Sequence, residues 1–143
     1  MDIGDILSQP GRTWSGRPGA DEAEIEALVA ASAYPIPAPI LELLRFSNGG
    51  EGELALPPML LVLDPVRRII AGLDEDEEYS GLVFIGGNGG LERIALDFRV
   101  GEPYPIVTID PVAGLESAVM IATDADEFVQ AIGLMYDEQS SNA

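Results

Sequence analysis

The stretch from Pro39 to Gly50, reading P-I-L-E-L-L-R-F-S-N-G-G, constrains the fold more than any other. Its pattern predicts a short amphipathic helix followed by an abrupt change of structure. Pro39 suits a first helical turn, where a missing backbone N–H costs nothing. Ile40, Leu43, Leu44 and Ser47 fall at i, i+3, i+4 and i+7, so one face is ready for burial. Glu42 and Arg45 lie on the other side. Asn48-Gly49-Gly50 then stops the helix, because glycine tolerates the left-handed backbone that closes a helix C-terminus. Before this stretch the chain reads as helix or arm. After it, up to about Thr123, it reads mainly as strands and turns.

The chemistry open to the chain is narrow. The 143 residues contain 25 acidic side chains against 7 basic ones, all arginine, for a formal net charge of −18. In residues 1–20, Asp2 and Asp5 balance Arg12 and Arg17, so the whole excess belongs to the chain after that point. Such a field repels nucleic acid and anionic lipid and attracts basic partners. Cysteine, histidine and lysine are absent from the sequence. Disulfides, thiolate zinc sites, histidine proton shuttles, P-loop lysines and Schiff-base chemistry go with them. No cofactor or metal site is expected. The N-terminus lacks the pattern of a signal peptide, and no apolar run is long enough to span a membrane. A soluble cytoplasmic protein is the expectation.

Taken in order, residues 1–20 read as an arm, with Ile3, Ile6 and Leu7 able to form one amphipathic turn. Trp14 is expected to pack the arm onto the body. Asp21 and Glu24 match a capping box that opens a helix with Ile25, Leu28 and Val29 on its buried stripe. Tyr34 to Pro39 is too rich in proline to be helical. Glu53–Leu56 and Met59–Leu63 are strand candidates. Asp64-Pro65 reads as a helix start, with Asp64 as cap and Val66, Ile69, Ile70 and Leu73 as the apolar face. Leu82–Ile85 and Leu91–Phe98 read as strands joined through Asn88-Gly89, a hairpin signal. No helix pattern follows those glycines, so they are not read as a phosphate loop. Ile106–Asp110 and Ala118–Ile121 are further strands. Thr123 or Asp124 caps a last helix, and residues 137–143 form a polar tail.

This order predicts an α+β fold: one domain over residues 21–136, with a mainly antiparallel sheet of about five or six strands. N-terminal, inserted and C-terminal helices pack on one face of it.

Several of these parts, in this order, resemble the SUKH superfamily, which includes the Smi/Knr-type regulators of fungal cell-wall synthesis and many bacterial toxin-immunity proteins. The resemblance rests on Ser47-Asn48-Gly49-Gly50, on Ile25 to Leu28, on the proline-marked entry to the second helix and on Val83 to Gly86. Ala95-Leu96-Asp97 and Asp126-Glu127-Phe128-Val129 complete it. It spans roughly residues 21–132. The segment from Tyr34 to Pro39 is richer in proline than that pattern. The resemblance implies an α+β fold, no catalysis and a protein-binding role, often the blocking of a cognate toxin that is frequently a nuclease. It carries over no catalytic residues.

Three functions follow as expectations. The first is an immunity-type module that binds a basic toxin domain, with Asp74, Glu75, Asp76, Glu77 and Glu78 as candidate contacts. The second is a regulatory adaptor of the same family. The third is a carboxylate-based hydrolase using Asp97 and Asp110, disfavoured by the missing histidine. Nucleic-acid and membrane binding are not expected, and the sequence does not fix an oligomeric state.

Overall fold

A computed structural model describes residues 2–73 and 77–136. Among the described residues the architecture is α+β, with five α-helices and one antiparallel sheet of seven strands. The helices are α1 (Ile3–Leu7), α2 (Glu22–Ala31), α3 (Ala38–Phe46), α4 (Val66–Ala71) and α5 (Ala125–Ala131). The strands are β1 (Trp14–Gly16), β2 (Gly50–Glu53), β3 (Leu60–Leu63), β4 (Leu82–Gly87), β5 (Arg93–Asp97), β6 (Ile106–Ile109) and β7 (Val119–Ala122). Each strand pairs with its neighbour in sequence, so the sheet is a simple meander.

The extra strand comes from the N-terminal segment. Trp14 pairs with Gly52 and Gly16 with Gly50, which makes β1 an edge strand. Ile3 and Leu7 of α1 join the main core. Trp14 also packs on that core, and its indole N–H donates to Ser47 Oγ at 3.3 Å. Three residues reading W-S-G carry too little periodicity to announce a strand.

All five helices lie over one face of the sheet. Ile25 and Leu28 of α2, Ile40, Leu43 and Leu44 of α3, and Phe128 of α5 are buried against Val83, Ile85, Ile94 and Leu96. Each such side chain contributes about 1.5–3 kcal/mol through burial. The opposite face is not bare. Leu82, Ala95, Val107 and Ile109 form a smaller cluster there, backed by Tyr79, Phe84, Leu115 and Ala118. Two short 3₁₀ turns, Glu77–Tyr79 and Leu115–Ser117, bring Tyr79 and Leu115 to it. Strand β5 is therefore buried on both sides, which explains its near-continuous apolar sequence.

Local signals govern three helix starts: at α1, Asp2 accepts from Asp5 N at 2.8 Å. At α2, Asp21 accepts from Glu24 N at 2.8 Å and Glu24 accepts from Asp21 N at 3.1 Å, the full capping box. At α5, Asp124 accepts from Glu127 N at 2.8 Å, while Glu127 reaches back to Thr123 N at 3.0 Å.

Elsewhere distant partners change the local reading. Helix α3 ends at Ser47 in an extended conformation, not in a left-handed glycine. Gly49 and Gly50, at φ 100° and 130°, act one step later by turning the chain into β2. A Cβ on Gly50 would stand 2.8 Å from both Ser15 O and the Trp14 ring. Strand β2 thus begins at Gly50, and Leu54 makes only an isolated bridge to Ile132. Asp64 does not cap α4. Pro65 occupies the cap position, and Val66 N donates instead to Asn48 Oδ1 at 2.8 Å. Val29, expected in the buried stripe, is 50% exposed because α2 needs only Ile25 and Leu28 to meet its neighbours.

Asn48 has a second bond, from Nδ2 to Glu24 Oε2 at 3.1 Å. Asn48→Ala removes both links, and we expect a loss of about 1–3 kcal/mol in urea unfolding. An unchanged midpoint would show that α4 needs no cap from outside.

Candidate functional site

Of the acidic block that the sequence singles out, Glu77 lines a cleft. Asp74, Glu75 and Asp76 lie outside the described residues. Glu77 and Glu78 stand exposed on the 3₁₀ turn that leads into β4. The cleft, of about 710 Å³, lies between the end of α2, α4 and the start of β4. Tyr34, Arg68, Tyr79, Phe84 and Arg93 line it as well.

This wall is a chain of specific contacts. Tyr79 meets Phe84 edge to face, with ring centroids 5.4 Å apart. The Arg93 guanidinium lies over the other ring partner, its Cζ 5.0 Å from the Phe84 centroid. Arg93 Nε donates to Gly86 O at 3.3 Å, and a terminal nitrogen stands 3.5 Å from Asp64 Oδ2. Register explains the meeting. Gly87 pairs with Arg93 and Phe84 with Ala95, with a bulge between Phe84 and Gly86 that turns Arg93 back along β4. Glycine at 86 is required there, since a Cβ would strike the Val62 carbonyl.

Burial pushes the Asp64 carboxyl above its usual value, against the opposing pull of Arg93 and then Arg68. Asp64 is thus a half-buried acid whose ionisation is opposed by its surroundings.

Tyr34 links this wall to a second aromatic group. It stacks on Phe98 at 4.9 Å, and Phe98 contacts Tyr104 at 4.6 Å. The proline-rich segment between α2 and α3 is held to the loop after β5 through these rings.

The structure does not bring Asp97 and Asp110 together. Leu96 pairs with Ile106 and Arg93 with Ile109, so the two acids lie at opposite ends of the β5–β6 pair. They are separated by roughly 16 Å of strand. Asp97 is only 4% exposed and holds Arg99 with both oxygens, at 2.9 Å each. Asp110 accepts from Val112 N at 2.9 Å in a turn. Both carboxylates serve the fold. Among the described residues, no group of three or more acids is placed to hold a metal ion, and no helix is long and apolar enough to cross a membrane.

Sequence reasoning singled out Glu77 and Glu78 but not Tyr34, Phe84, Arg68 and Arg93, which line the cleft with Glu77. Arg93 had a readable signal: it is a cation at the start of a strand whose next three residues are apolar. The others meet only through tertiary packing. In comparisons with known proteins, no family model matches the chain and no curated protein matches it.

The Asp97–Arg99 bond sets a pH dependence. Hydrogen bonding from Arg99 holds the Asp97 carboxyl below its usual range. Its stabilisation is therefore present above the unfolded carboxylate pKa and is lost as pH falls through the lower, folded value. Asp97→Asn should lower stability near pH 7, and the gap to the parent should close under acid conditions. Chemical denaturation at several pH values tests this. A gap that stays constant into acid would show that the charge of Asp97 contributes nothing.

Proposed function

We propose that this chain is a non-enzymatic protein-binding module of the SUKH type that neutralises a cognate basic toxin domain in the cytoplasm. The observation that carries the reading is the net charge of −18 together with its placement. The excess lies wholly after residue 20, and Glu77 and Glu78 are exposed beside a cleft with aromatic walls. Exposed Glu77 and Glu78, close in sequence to the rings of Tyr79 and Phe84, suit a basic protein surface. The charge speeds and orients encounter, and the rings supply contact area. A nuclease domain, which needs a basic face to hold nucleic acid, is the partner class with the matching field. The α+β architecture is the one that the sequence resemblance implies.

The test is a binding titration against the protein encoded beside this one, over a range of salt concentrations. Association should slow as ionic strength rises and the Debye length shrinks below about 8 Å. Glu77→Gln with Glu78→Gln should slow association by a few-fold and change dissociation little. Absence of binding, together with failure to rescue cells from that neighbour's toxicity, rejects the proposal. Binding that ignores both salt and the double variant would move the contact away from Glu77 and Glu78.

A further inference from the structure

Seven arginines face 25 carboxylates in this chain, so each should find an acid with ease. Four are held by the protein. Arg12 donates to the carbonyl oxygens of Gln130 and Ile132 at 2.8 and 2.7 Å. Arg45 binds Glu22 at 2.7 Å, and Arg99 binds Asp97. Arg93 lies between Phe84 and Asp64. Among the described residues, the guanidinium groups of Arg17, Arg67 and Arg68 have neither a hydrogen bond nor an ion pair. All three line a single cleft of about 960 Å³.

That cleft lies between the segment after β1, the turn from α3 into β2, and the junction of β3 with α4. Arg17 comes from the first of these walls, and Arg67 and Arg68 from the last. Three acids, Glu24, Glu51 and Asp64, share the lining. Two of them are committed elsewhere. Glu24 accepts from Asp21 N and from Asn48 Nδ2, each at 3.1 Å. Asp64 is ion-paired with Arg93 at 3.5 Å. Glu51 is exposed. In a molecule of charge −18, the cleft thus sets three arginines against three acids, and among the described residues none of those arginines is in an ion pair.

We propose that this cleft binds a compact phosphate-bearing small molecule, with Arg17, Arg67 and Arg68 holding its phosphate. The choice of anion follows from geometry and field. A guanidinium is a planar fork suited to paired oxygens. One carboxylate is satisfied by one or two such forks in its plane. A tetrahedral phosphate offers oxygens to three forks that come from two different walls. The volume falls within the range of small-molecule sites, about 300–1,000 Å³. A long polyanion would meet the negative field of the rest of the surface, whereas a small one is confined to the cleft.

Titration calorimetry of the full chain with inorganic pyrophosphate at low salt tests the assignment. Saturable binding with a Kd below about 1 mM is expected. Arg67→Ala and Arg68→Ala should each weaken it about tenfold or more. Arg45→Ala, which removes a cation outside the cleft, should leave it unchanged. All three side chains are exposed, so unfolding midpoints should stay close to the parent's. No saturable heat up to about 10 mM pyrophosphate overturns the proposal. So does equal weakening by Arg45→Ala, or citrate binding as tightly as pyrophosphate. None of these outcomes depends on a protein partner, so they leave the immunity-type reading to its own test.

Discussion

The fold depends on a small polar hub at Ser47 and Asn48. Ser47 is 1% exposed, and its hydroxyl is fully used. It receives the Trp14 indole and Arg17 N, and it donates to Gly49 O at 2.5 Å. Asn48 reaches Glu24 of α2 and Val66 of α4, while its own N–H donates to Pro18 O at 3.1 Å. Two residues thus tie the N-terminal segment, three helices and the start of β2 into one unit. A buried hydroxyl with every bond made fixes geometry that apolar packing alone leaves loose, because any slip leaves a polar group unpaired. Asn48 replaces the acid expected at the start of α4. That frees Asp64 to stand against Arg93, and the wall of the aromatic cleft follows from this exchange.

The sheet divides the molecule into unequal halves. One face carries every helix and most of the apolar mass. The other is closed by a thinner cluster and two 3₁₀ turns. Clefts form where the thin and thick coverings meet around α4. Arg68 lines both the aromatic cleft and the one holding Arg17 and Arg67. A six-residue helix is too short to cover the end of β3 and β4 completely, and the uncovered margin is where chemistry can reach in.

Much of this was legible in the sequence, and the limits are physical. The capping box at Asp21 and the cap at Asp124 involve partners three or four residues away, so a linear reading finds them. The apolar stripe of α3 is strongly periodic, and Ile40, Leu43 and Leu44 are buried as expected. The hairpin at Asn88-Gly89 forms, with Asn88 Oδ1 accepting from Gly90 N at 2.9 Å. What escaped depends on distant partners. The cap of α4 comes from 18 positions upstream, and β1 is a strand only because β2 offers it an edge. The site was half legible for the same reason. A run of acids announces itself, but which arginine lacks an acid is decided only when the chain is folded.

The meander has a further consequence, for the order in which the molecule is built. Strands that pair only with sequence neighbours can assemble progressively as a nascent chain emerges, since most pairings close a short loop, that of β1 with β2 across α2 and α3 being the longest. Closure of the whole is the exception. Thr13 N bonds Gly133 O at 2.8 Å, Arg12 grips Gln130 and Ile132, and Leu54 bridges Ile132. The bonds of Arg12 and Thr13 join segments up to 120 residues apart, and all of these links wait until α5 has been made. Until then the pocket for Phe128 stands open and β1 lacks its clasp. The segment around α5 therefore acts as the latch of the fold, and a chain interrupted before it would be marked for proteolysis by the apolar surface it leaves uncovered.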